Sequence, residues 1–246
     1  MVDPRTSVID ERLNQISRII AVSSGKGGVG KSLIATTLAL ALTKEGWKVG
    51  LFDLDFTSPS THLILGVKGV QPKEDKGIVP PVVKGLKYMS LVYYCGDKAA
   101  PLRGADTSNA LIELLAVTQW STLDFLVIDM PPGIGDAVLD LIMLVKRIEF
   151  LIVTTPSRLA FETVRKQLNL LKKLRVPVIG LVENMKMDSA QSIRQQTEEL
   201  GVTFLGEIPY DVEVEEAIGD EAKLLGTELA RKVKEVARGK LRVDRN

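Results

Sequence analysis

The sequence predicts an α/β fold, a mostly parallel sheet of about seven strands with helices on both faces, arranged in three layers. Three observations carry this expectation. Short apolar runs alternate with helix-length amphipathic stretches along nearly the whole chain, the rhythm of a parallel sheet joined by crossover helices. Several runs are continuously apolar, which suits strands covered on both faces. One run leads through a glycine-rich loop directly into a helical pattern.

In order, residues 1–18 are polar and read as an N-terminal extension or helix, and residues 19–246 as a single domain. Strands are expected at 19–22, 49–53, 89–93, 125–129, 150–154, 178–182 and 203–205. Helices are expected at 32–45, 108–117, 137–146, 160–174, 189–200 and 222–238. The stretch 66–85, with several glycines and prolines, reads as a loop or short hairpin inserted into the domain. The basic amphipathic stretch 227–242 has no Trp or Phe for a membrane-surface face, so it is expected to pack on the sheet.

Composition narrows the function classes. With 45% apolar residues the chain has material for one sizeable core. The 32 basic and 31 acidic residues leave a net charge of +1, which gives no reason to expect nucleic acid as a partner. A single cysteine, Cys95, excludes a disulfide within the chain, and a single histidine, His62, excludes a histidine-rich metal site. The first 18 residues lack the basic start and the apolar run of roughly 7–15 residues of a secretory signal. The apolar runs fall short of the ~18 residues that span a bilayer. A soluble, cytoplasmic protein is expected.

The chemistry is concentrated in Gly25-Lys26-Gly27-Gly28-Val29-Gly30-Lys31-Ser32, which lies between the first strand and the helix that Leu33 continues. Glycines let the backbone amides turn inward as a nest for phosphate oxygens. The helix N-terminus adds partial positive charge at the same point. Lys31 can reach the outer phosphates, and the Ser32 hydroxyl can ligate magnesium. Asp53 and Asp55, at the end of the second strand, sit where parallel sheets bind ligands. Residues 125–129 form an apolar strand ending in Asp129, the pattern of a carboxylate that holds a magnesium-bound water or the Ser32 hydroxyl. Met130-Pro131-Pro132-Gly133 follows, and the Gly133 amide could sense a γ-phosphate.

The second lysine, Lys26, makes the loop resemble the MinD, ArsA and nitrogenase iron-protein class of ATPases. The resemblance narrows with Asp-Met-Pro-Pro-Gly-Ile-Gly-Asp at 129–136, Pro-Leu-Arg-Gly at 101–104, Val-Glu-Asn-Met at 182–185 and Leu-Gly-Glu-Ile-Pro-Tyr-Asp at 205–211. Together these are similar to the Mrp/ApbC family of P-loop ATPases. The resemblance implies ATP or ADP with magnesium, a homodimer across the nucleotide and a role in iron–sulfur cluster carriage for a client protein. It also implies that Lys26 reaches the partner's phosphates and that Asp55 positions the attacking water. Asp53 and Asp129, with Ser32, would surround the metal. Asn184 would read adenine, whose edge needs both a donor and an acceptor, and Pro209, Tyr210 and Asp211 would border the base. The chain departs from the family after Met185. The expected Cys-x-x-Cys is replaced by Lys186-Met187-Asp188-Ser189-Ala190-Gln191, which argues against a bound iron–sulfur cluster, since cluster ligation takes thiolates. Cys95 is expected to be structural. The alternatives are a MinD- or ParA-like positioning ATPase and an ATP-dependent ligase on the same scaffold.

Overall fold

The structure is a computed structural model that describes residues 3–95, 104–187 and 192–241. Helix α1 (Arg5–Leu13) leads into strand β1 (Ile16–Ser24), followed by α2 (Lys31–Lys44), β2 (Val49–Asp53) and α3 (Thr61–Leu65). A hairpin of β3 (Lys73–Glu74) and β4 (Ile78–Val79) precedes β5 (Val82–Val83), β6 (Leu86–Ser90) and α4 (Val92–Cys95). Next come α5 (Ala105–Val117), β7 (Leu123–Asp129), α6 (Asp136–Leu144), β8 (Ile148–Thr154) and α7 (Arg158–Lys173). The chain continues through β9 (Val178–Lys186), α8 (Arg194–Glu199), β10 (Phe204–Pro209), α9 (Glu213–Ala217), α10 (Glu221–Gly226) and α11 (Glu228–Lys240).

Eight strands form the main sheet in the order β10-β9-β8-β1-β7-β2-β6-β5. All neighbours are parallel except β5, which pairs antiparallel with β6 at one edge. Alternation along the strands builds two cores, because successive side chains point to opposite faces. Leu126 and Ile128 of β7 join Trp120, Leu115 and Phe161 on one face. Phe125 and Val127 join Ile34 and Leu38 of α2 and Leu229 and Val233 of α11 on the other. The predicted three-layer α/β class is the observed one, with β5 as an eighth strand.

The departures are local. The expected strand at 89–93 is shifted: β6 is Leu86–Ser90, and Tyr93 lies in α4. The pairing with β2 ends at Asp53↔Ser90, and the Ser90 hydroxyl then accepts from the Val92 amide, which turns the chain away from the sheet. The expected helix at 222–238 is two helices. They break at Thr227, whose hydroxyl accepts from Ala230 N and starts α11 anew, a capping role suited to Thr. The expected helix at 189–200 is the shorter α8. The buried side chains Ile9 and Leu13 of α1 belong to the core that α5 and α6 cover. Residues 101–103 and 188–191 of the resemblance lie outside the described residues. Among the described residues no helix is long and apolar enough to cross a membrane.

The order of the sheet places the site. β1 stands between β8 and β7, and register pairs Val22 with Asp129 and Asp53 with Asp129. The C-terminal ends of β1, β7 and β2 therefore lie side by side, at the edge where open parallel sheets bind ligands.

Candidate nucleotide-binding site

The loop from Gly25 to Gly30 turns out of β1 and into α2, which starts at Lys31. Glycine is required at two points for different reasons. Gly30 has φ +83, and a Cβ there would stand 2.3 Å from Asn184 Nδ2. A Cβ on Gly25 would stand 2.5 Å from Thr163 Oγ1 and 2.8 Å from Val164 N, because α7 packs directly on the loop's first turn. The loop borders a cleft of about 550 Å³ whose lining includes Lys26, Lys31, Ser32, Leu33, Asp55 and Pro132. Gly27, Gly28 and Gly30 share that lining, while Val29 is buried beneath it.

The two lysines of the loop face different surroundings. Lys26 is exposed. Lys31 is 6% exposed, and its Nζ lies 2.6 Å from Asp129 Oδ1 and 3.6 Å from Asp55 Oδ2. It also donates to Ser32 Oγ at 3.2 Å. Asp129 Oδ2 is buried with no hydrogen-bond partner among the described residues. Burial raises the Asp129 carboxyl above the ordinary range, and the Lys31 ammonium opposes that rise. A buried carboxylate with one oxygen unspent beside a hydroxyl fits a hard cation held through few protein oxygens plus phosphates, the usual manner of magnesium. No group of three or more His, Cys, Asp or Glu among the described residues is arranged to hold a metal by itself.

Asp53 is engaged differently. Its Oδ1 accepts from Asp55 N at 3.1 Å, and its Oδ2 accepts from Thr61 Oγ1 at 2.6 Å and Thr61 N at 3.3 Å. Thr61 Oγ1 is also 2.9 Å from the Tyr88 hydroxyl. Burial first, and the neighbouring Asp129 charge second, push the Asp53 carboxyl up to about 7. Asp53 thus ties the start of α3 to the sheet, behind Asp55. Asp55 Oδ1 accepts from Ser58 N at 3.1 Å, and Asp55 remains in the cleft lining.

Gly133, with φ +82, donates its amide to the Ser24 carbonyl at 2.8 Å. The amide expected to sense a γ-phosphate is therefore docked on β1. The Ser24 hydroxyl donates to the Lys26 carbonyl at 2.9 Å. Asn184 lies behind the loop, 1% exposed, and its Nδ2 donates to the Val29 carbonyl at 2.9 Å. Pro209 ends β10, Tyr210 is exposed, and the Asp211 oxygens accept from the amides of Glu213 and Glu228. These three residues are not in the lining of the phosphate cleft.

Sequence reasoning passed over Ser24, Thr61 and Gln167. Gln167 of α7 donates to Ser23 Oγ at 2.7 Å while fully buried. Two adjacent serines ending an apolar strand were the visible signal for the first. Nothing local marks Thr61 or Gln167, whose partners are brought in by the fold.

A buried ammonium shared by Asp129 and Asp55, where a glycine-rich loop opens a helix, is suited to polyphosphate. The class so defined is the P-loop ATPases. Known proteins agree: the ParA family, described as NUBPL iron-transfer P-loop NTPase, matches residues 15–240, and the chain belongs to it. The chain is 38% identical over 220 residues to an iron–sulfur cluster carrier protein of Pseudomonas fragi, covering 83% of this chain and 77% of that protein. It is 43% identical over 178 residues to an iron–sulfur cluster carrier protein of Escherichia coli, where the match spans 71% of this chain and 48% of that one. Among solved structures, a nucleotide-binding protein of Archaeoglobus fulgidus in complex with ADP aligns with TM-score 0.76 and 31% identity, over 89% of this chain and 92% of that one. The cell-division ATPase MinD of Pyrococcus furiosus, at 21% identity and TM-score 0.67 over 92% and 100% of the two chains, shares the fold.

Proposed function

We propose that the protein is a magnesium-dependent ATPase switch that closes as a homodimer across ATP and serves iron–sulfur or related metallocofactor assembly without holding a cluster in a cysteine pair. The observation that carries the dimeric switch is the division of labour between the two loop lysines. Lys31 is buried against Asp129 and Asp55 and serves its own site. Lys26, three glycines and a valine away on the same loop, is exposed and is free to complete the site of a second copy. Supplying such a charge from outside accelerates phosphoryl transfer by about 10³–10⁵ in other P-loop proteins. The assembly role is supported by the names of the relatives, and the departure from a carrier by the single cysteine of the sequence. The positioning-ATPase alternative has the second loop lysine and likeness of fold in its favour, both of which the cluster-carrier relatives also account for.

Lys26→Ala tests the reading. ATP binding should persist, while ATP-dependent dimerisation, read by light scattering, and phosphate release should both fail. Mixing Lys26→Ala with Asp55→Ala chains should restore activity, because the Asp55 variant donates its Lys26 to a partner site that still positions water. A Lys26→Ala protein that dimerises and turns over normally would reduce Lys26 to a surface charge.

A further inference from the structure

A lysine that acts on another subunit must leave its own loop at a fixed place and angle. The Lys26 ammonium has no hydrogen bond or ion pair among the described residues, so the loop backbone has to hold it. Ser24 is the last residue of β1, wholly buried and in register with Val153 of β8. Its hydroxyl donates to the Lys26 carbonyl at 2.9 Å, and its own carbonyl accepts the Gly133 amide at 2.8 Å. The neighbouring Ser23 hydroxyl is turned to Gln167 of α7 instead. Ser24 is thus the side chain of β1 that fastens the loop to the sheet.

The bond is local, between residues two apart in the chain, and part-buried. What it does is fix the backbone curvature from which the Lys26 side chain departs, and anchor that curvature to a strand.

We infer that Ser24 is a positioning residue for phosphoryl transfer: it sets the point from which Lys26 reaches the partner subunit's nucleotide. This rests on the in-trans reading of Lys26 above. Ser24 also borders the phosphate cleft of its own subunit, but the effect assigned to it is delivered to the other site of the dimer. The Ser24 carbonyl also accepts the Gly133 amide, so one residue of β1 holds both Lys26 and the turn after β7.

Ser24→Ala removes one oxygen and keeps the volume. ATP affinity should change by less than about threefold, well under the tenfold that a strong contact supplies. Turnover should fall by about ten- to hundredfold, the cost of misplacing a group at a reacting centre by around 1 Å. Ser24→Cys, with a weaker donor of similar size, should fall between the two. The decisive measurement uses mixed dimers, separated by two affinity tags. In a Ser24→Ala:Asp55→Ala dimer the Asp55 variant supplies a correctly held Lys26 to the intact Asp55 of the Ser24 variant, so turnover should rise well above either parent. A residue that merely shaped its own nucleotide site would give no such rise. Three results overturn the inference: normal turnover in Ser24→Ala, weakened ATP binding that accounts for the whole loss, or no recovery in the mixed dimer while Lys26→Ala:Asp55→Ala recovers. If that control dimer also fails to recover, Lys26 does not act in trans, and the proposed switch falls together with the role of Ser24.

Discussion

Replacing Asp53 by Asn separates what this carboxylate costs the fold from what it contributes to the site. Asp53 is 1% exposed and lies in register with Asp129. Burial and the Asp129 charge raise its carboxyl from the ordinary 3.8 to about 7, against the opposing pull of its bonds from Thr61 and Asp55. The folded protein therefore binds this proton more tightly than the unfolded chain does. The contribution of Asp53 to stability without nucleotide falls as pH rises from about 4 to about 7 and then levels off. A displacement of roughly three pH units at ~1.36 kcal/mol each puts the cost of the ionised form at ~4 kcal/mol at most. Asparagine removes the charge but cannot accept on both sides, as Asp53 does from Asp55 N and from Thr61. One lost bond returns ~1–2 kcal/mol. Asp53→Asn should thus be more stable than the parent by about 2–3 kcal/mol near pH 7.5 and within about 1 kcal/mol of it near pH 4.5. Urea titrations without nucleotide, read by the fluorescence of Trp47 and Trp120, measure both values. A difference that does not change with pH, or that moves in favour of the variant as pH falls, would refute the buried-charge account.

Three further outcomes follow from the same geometry. Lys31→Ala should weaken ATP binding ten- to hundredfold by calorimetry, since each charge-assisted contact contributes about 1.5–3 kcal/mol; unchanged affinity would place the phosphates elsewhere. Asp55→Ala should still bind ATP and dimerise but hydrolyse it far more slowly, because positioning water lowers the barrier more than it stabilises the bound state; weaker binding with normal turnover would assign Asp55 another task. Anaerobic reconstitution with iron and sulfide should leave no stoichiometric cluster, because the chain's one cysteine gives each subunit a single thiolate. A cluster lost on Cys95→Ser would revive the carrier role for this chain.

The phosphate loop was legible in the sequence because its chemistry is local. Spacing, the Lys31-Ser32 ending and the flanking strand and helix all lie within one stretch of chain, and amides that cradle phosphate need only consecutive residues. The alternation that announced three layers was legible for a similar reason, since each strand and helix declares its buried face by its own period. The strand at 89–93 was misplaced because its end is set by its neighbour. β6 stops where β2 stops, and Tyr93 is apolar enough to extend a strand that no longer has a partner.

The sequence by itself determined the fold class, the loop and the residue types at the strand ends. The tertiary structure decided what those residues do to one another. Asp53 and Asp129 are 76 positions apart in the chain and become neighbours through the parallel register of β2 and β7. Burial within the sheet first, and the Asp129 charge brought alongside by that register second, raise the Asp53 carboxyl, which is bonded to Thr61. Asn184 reaches the loop from β9, across β8, to meet the Val29 carbonyl. Gly133 comes from the end of β7 to rest on Ser24. Each of these contacts joins strands whose order is not their order in sequence. A periodic pattern fixes which face a residue occupies, but not which strand lies beside it, and that neighbour sets burial, charge and hydrogen bonding in the site.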